Sequence, residues 1–258
     1  MTGGTGIANG VPSIVDRAGY AITLNDLEFL GLTVDQANAM KSRTLPLGMS
    51  AGVYQEFVES LRGALHDEGA TDADVRIQGS SVKFFSGHHK SMPWDRDEIE
   101  DEYLKANGAK SPLSAYSLNS IVEGLTKHWP DRAHRPEARP FDALYRVGVH
   151  NEASDYDVQI SSFILVEKVR AQIRRRGVEP TDLRVNKPTY NFVKKEYSSQ
   201  LAYLAQWAAN ACELAGRPVT VAVFDGGGPP DVRDEFGELS SHFRNDDDWI
   251  LFSPAFGS

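Results

Sequence analysis

The stretch Ser154-Asp155-Tyr156-Asp157-Val158-Gln159-Ile160 decides how this chain is read. Polar and apolar residues alternate through it, which predicts a β-strand over residues 155–160. Side chains two positions apart on a strand leave by the same face, so the strand sets the carboxylates of Asp155 and Asp157 side by side. An Asp-x-Asp is common and also suits the solvated face of an edge strand. Its neighbours must decide between the two readings.

Upstream, Val75-Arg76-Ile77-Gln78 alternates in the same way and runs into Gly79-Ser80-Ser81, the pattern of a short strand entering a tight turn. Downstream, residues 163–176 have the spacing of an amphipathic helix that ends in Arg174-Arg175-Arg176 and Gly177. A second helix is expected over 198–215. A buried strand follows over 219–224 and ends at Asp225 before three glycines. Trp249 to Phe252 reads as a last short strand or a docking tail. In the N-terminal half, residues 26–40 and 51–66 have helical spacing. This order predicts an α+β fold, a small mixed β-sheet with helices on one side.

Residues 86–150 differ in character. They hold five of the seven histidines and a dense mix of both charges, with one helix expected over 117–129. They lack the apolar content for a core of their own, so they are expected as an insertion. The organisation predicted is a flexible N-terminus over 1–20 and one domain over 21–258 that carries the 86–150 insertion.

Composition bounds the function. The 258 residues are 41% hydrophobic and 24% charged, an ordinary globular balance. A formal net charge of −9 repels polyanions, so nucleic acid would have to meet a local basic patch. The single cysteine, Cys212, allows neither an intrachain disulfide nor a cysteine-based zinc site, which fits a cytoplasmic setting. No run of about 18 apolar residues spans a membrane. The Gly-rich start lacks the basic and apolar parts of a signal peptide. Its GGTG follows no strand and precedes no Lys-Ser or Lys-Thr, which excludes a phosphate loop.

Together, a strand leading to Gly79-Ser80, a strand carrying Asp155 and Asp157, and a strand ending in Asp225 suit nucleotidyl transfer. A nucleoside triphosphate carries about four negative charges, so catalysis on it is mostly positioning and charge stabilisation. Mg²⁺ takes one or two carboxylates together with phosphate oxygens. A third carboxylate on a neighbouring strand can share a second metal and accept the proton of the attacking hydroxyl. A Gly-Ser turn lets backbone N–H groups approach phosphate, with Ser80 and Ser81 adding hydroxyls and Lys83 within reach.

This pattern, Gly79-Ser80 followed by Ser154-Asp155-Tyr156-Asp157, resembles the DNA polymerase β-like nucleotidyltransferase superfamily. The resemblance covers residues 75–85 and 150–225 through short motifs. It implies that Gly79 and Ser80 hold the triphosphate, and that Asp155 and Asp157 hold two Mg²⁺ ions. Asp225 matches the third carboxylate by its place at a strand end. One departure is large. Members typically separate the two motifs by about a dozen residues, whereas 74 residues separate Ser80 from Asp155. Small bacterial members include toxins that modify tRNA, antibiotic-modifying enzymes and defence cyclases.

Residues 168–195 carry nine Lys or Arg (among them Arg174–Arg176, Lys187 and Lys194) against two acids. The cluster suits a triphosphate or an RNA or tRNA acceptor, and equally a solvated helix face. Tyr190 and Phe192 offer base stacking or core packing. Arg132 to Arg139 reads as a lid, an acceptor arm or a surface loop. His88-His89 with Asp95 and Asp97 match no zinc spacing. His128, His134 and His150 show no pairing logic.

The function expected is transfer of a nucleotidyl group from an NTP, with ATP among the candidates, to an acceptor the sequence does not identify. The alternatives are a metal-dependent phosphodiesterase or nuclease, and a non-catalytic nucleotide-binding module on the same scaffold.

Overall fold

The computed structural model describes residues 10–87, 90–108, 112–177, 183, 191–228 and 248–254. From the N-terminus the elements are α1 (Leu24–Leu30), α2 (Val34–Lys41), α3 (Ala51–Asp67), β1 (Asp74–Gln78), α4 (Ser80–Lys83), α5 (Arg96–Asn107), α6 (Ala115–His128) and α7 (Ala143–Arg146). β2 (Tyr156–Ser161), α8 (Phe163–Arg175), α9 (Lys195–Ser198), α10 (Ala202–Ala215), β3 (Val219–Phe224) and β4 (Trp249–Phe252) complete them. The fold is mixed α/β with a small mixed sheet.

The chain divides into two compact units. The first joins Met1–Gly48 to Gly79–Ser154, and the second joins Met49–Gln78 to Asp155–Ser258. A single domain with 86–150 as an insertion is the sequence expectation. Here that stretch instead shares a core with the N-terminal segment. Leu30, Phe84, Ile99, Leu125 and Phe141 are buried together, so apolar residues too sparse for a core of their own find partners about 70 positions away.

Residues 11–20, expected as part of a flexible terminus, are tied into this first unit. Ile14 is buried, and Val15 forms a β-bridge with Ala21. The buried carboxylate of Asp16 accepts from the backbone N–H groups of Ala18, Tyr20, Glu137 and Ala138. The helix expected over 26–40 is two helices. Gly31 ends α1 in the left-handed region (φ 69°), and Thr33 starts α2 with a capping box to Gln36.

The second unit is built on a four-stranded sheet in the order β3-β2-β1-β4. β1 runs antiparallel to β2 and to β4, while β2 and β3 are parallel. Trp249 to Phe252 is thus a strand. Parallel pairing requires a crossover, which α8, α9 and α10 supply. One face of the sheet is apolar. There Tyr156, 0% exposed, lies edge-on to Phe57 of α3, which in turn meets Trp207 of α10.

Two acids near the start of β1 organise the helices of this unit. Asp72 accepts from the Ser162 hydroxyl and from the N–H groups of Phe163 and Ile164, capping α8. Glu68, buried at the end of α3, accepts from the N–H groups of Tyr203 and Leu204 and pairs with Lys168. It caps α10, whose own N-cap residue, Leu201, has no side-chain acceptor.

Candidate functional site

The second face of the sheet is polar, and strand register puts the acid pair on it. Asp157 lies opposite Gln78 of β1 and opposite Thr220 of β3. Residues opposed across a ladder share a face, so Gln78, Asp157 and Thr220 form one row across three strands. Asp155, two residues before Asp157, leaves by the same side.

The two carboxylates converge. The Thr220 hydroxyl lies 3.0 Å from Asp155 Oδ2 and 3.2 Å from Asp157 Oδ1. A hydroxyl has one proton to donate, so it serves one carboxylate well or both weakly. The two oxygens are close enough for one hydrated cation to engage both. Both acids are half-buried. Like charges held in this way repel, which favours a cation between them.

Asp225 is not part of this group, contrary to its assignment as the third carboxylate. β3 is parallel to β2, with Thr220 beside Asp157 and Phe224 beside Ser161. Asp225 follows Phe224, five residues past the acid pair, or roughly 16 Å at the rise of a strand. Parallel pairing sends the end of β3 away from the start of β2. A strand-end position in sequence carries no register, and this is why the assignment failed. Lys194 is set apart for the same reason. The N–H of Val193 donates to the carbonyl of Val223, so Lys194 joins the backbone near the Asp225 end. Among the described residues no group of three or more His, Cys, Asp or Glu is arranged to hold a metal.

Gly79 and Ser80 belong to the first unit and are described there. Gly79 has φ 86° and ψ −169°, a conformation open essentially to glycine alone. Its carbonyl accepts from the N–H groups of Val82 and Lys83, which closes the turn into the four-residue α4. Ser80 and Ser81 are buried, and the Ser81 hydroxyl has no hydrogen-bond partner. Lys83 is exposed. Ser154 exchanges hydrogen bonds with Asp142: its N–H donates to the carboxylate, and its hydroxyl accepts from the Asp142 N–H.

The basic cluster is partly committed to structure. Lys168 pairs with Glu68 and Arg170 with Glu167, whereas Arg174 and Arg175 end α8 exposed. Phe192 packs edge-on to Phe224, 6.0 Å between ring centroids, which favours the core reading of that aromatic. Lys187, Tyr190, His88 and His89 lie outside the described residues.

Three histidines of the first unit are paired after all. His128 Nε2 meets Asp26 Oδ1 at 2.9 Å, His134 pairs with Asp131, and His150 with Glu102. Asp26 and His128 border a cavity of about 540 Å³, together with Tyr20, Trp129 and Arg135. The Tyr20 hydroxyl donates to Asp26 and accepts from the Trp129 indole N–H, and burial beside that carboxylate raises its pKa. Two arginines of the arginine-rich run are anchored, while Arg132 is exposed. Arg135 lies over the Trp94 ring and donates to the Trp129 carbonyl, and Arg139 pairs with Glu102.

Sequence reasoning missed Gln78 and Thr220. Each had a signal. Gln78 continues the alternation of β1 onto the polar side, and Thr220 is the polar residue in an otherwise apolar strand.

Comparison with protein-family models, with curated proteins and with solved structures returns no match to this chain.

Proposed function

We propose that this protein is a nucleotidyltransferase that binds a nucleoside triphosphate through divalent metal held by Asp155 and Asp157. One observation carries the reading: the two carboxylates share one face at the start of β2, both in reach of the same Thr220 hydroxyl. Mg²⁺ in nucleotide sites takes one or two protein carboxylates and leaves its other positions to water and phosphate, which matches this donor set. The metal would polarise the attacked phosphate and neutralise the charge that develops on it. Gly79 and Ser80 are assigned to the triphosphate by sequence resemblance, and the glycine-only backbone of Gly79 agrees with a turn kept for backbone approach. The exposed arginines at the end of α8 are the candidate contacts for an RNA or tRNA acceptor.

The place of Asp225 favours a second reading. Among the described residues no third carboxylate stands beside the pair to serve as base for the incoming hydroxyl, which makes a module that binds nucleotide without turnover the alternative. One screen separates the readings. The chain is incubated with each of four α-labelled nucleoside triphosphates and Mg²⁺, in the presence of tRNA, protein or no acceptor. Label on an acceptor supports transfer. Shortened RNA points to a phosphodiesterase or nuclease. Mg²⁺-dependent nucleotide binding with no product supports the binding module, and absence of binding removes the proposal.

A further inference from the structure

We infer that the acid pair holds one divalent cation rather than two, and that buried Gln78 completes the shell of that cation. The inference rests on reading Asp155 and Asp157 as metal ligands and departs from the two-metal expectation.

The first argument is charge. The row across the sheet at the level of Asp157 reads Gln78, Asp157, Thr220. Both positions that flank Asp157 on this face are neutral; among the described residues the other acids near this level are Asp155 and, one strand beyond Gln78, the buried Asp248, which pairs with Arg76. Two metals about 4 Å apart need carboxylates to bridge and flank them. Two carboxylates balance one divalent cation, and a second would sit in uncompensated positive charge. Asp225, the residue expected to hold the second metal, is at the far end of β3.

The second argument is the state of Gln78. It is 2% exposed, and neither its Oε1 nor its Nε2 has a hydrogen-bond partner. Leaving a buried amide unpaired costs about 1–3 kcal/mol. The Cβ atoms of opposed residues in a ladder lie about 5 Å apart, so the amide ends within reach of whatever Asp157 binds. An amide carries a donor and an acceptor and no charge. Its Oε1 can accept from a water on the cation, and its Nε2 can donate to a phosphate oxygen. Mg²⁺ keeps several waters, and partners of those waters set affinity. Thr220 completes the opposite flank.

The test is a Mn²⁺ titration of the full chain without nucleotide, with free Mn²⁺ read by electron paramagnetic resonance. One Mn²⁺ per chain is expected, with binding lost in Asp157→Asn and unchanged in Asp225→Asn. Gln78→Leu should weaken binding roughly 10-fold, as loss of an outer-shell partner does, while the urea midpoint stays level or rises. Gln78→Glu, which restores a third carboxylate, should tighten binding or admit a second ion. Two ions per chain that both depend on Asp157 would overturn the single-cation inference and leave the metal-site reading standing. One ion bound equally well by wild type, Gln78→Leu and Gln78→Glu would overturn the role of Gln78. No binding at all would overturn the inference together with the metal site. The wild-type stoichiometry decides the first point even where a Gln78 variant fails to fold.

Discussion

Gly79 shows how one residue can be constrained without touching anything. A Cβ built there meets no atom within 4 Å, so space does not exclude a side chain. Its backbone does, since φ 86° with ψ −169° is closed to other residues. Gly79→Ala should therefore cost about 1–3 kcal/mol in urea denaturation despite the open surroundings. A loss near zero would mean that the turn relaxes freely. The residues of the acid pair were legible in the sequence because period-two alternation fixes a face. Their row partners were not, because Gln78 and Thr220 join Asp157 only through register, and register depends on two other strands.

Among the elements, the strands and most helices could be read from periodicity and caps. β3 begins and ends where its β-branched run does, and α3 begins and ends within a residue of its apolar spacing. Gly31 and Thr33 carried the break between α1 and α2, as a helix stop and a Thr-x-x-Gln capping box, beneath a continuous apolar stripe. The start of α10 was not legible. Its cap is Glu68, 135 residues away from Tyr203. Removing that carboxylate leaves two N–H groups without an acceptor and Lys168 without its partner. Glu68→Ala should lower stability by about 2–4 kcal/mol. Glu68→Gln, which keeps an oxygen for the helix, should lose less. Equal losses would show that charge rather than capping sets the contribution.

At the level of the whole molecule, the division into two units was hidden because the first is discontinuous in sequence. Its apolar residues look sparse in each segment and sufficient only together. Electrostatics tie this unit together as well. The hydrogen bond from His150, with Arg139 beside it, holds the Glu102 carboxyl down at about 2. A carboxylate whose pKa is lower folded than unfolded stabilises the fold above its unfolded value and stops doing so as pH falls through the folded one. The Glu102 contribution, about 1–3 kcal/mol at neutral pH, should fade between about pH 4.5 and pH 2. Glu102→Gln should then be less stable than wild type at pH 7 and nearly equal to it at pH 2, measured by chemical denaturation. A constant difference across that range would assign the loss to packing.

The central claim is that chemistry on a nucleotide depends on the Asp155 and Asp157 pair and not on Asp225. Its most direct test compares label transfer from an α-labelled nucleoside triphosphate by wild type, Asp157→Asn and Asp225→Asn, each shown to be folded by circular dichroism. The account predicts transfer abolished in Asp157→Asn and retained in Asp225→Asn. Transfer that survives Asp157→Asn, or is abolished by Asp225→Asn, would contradict it.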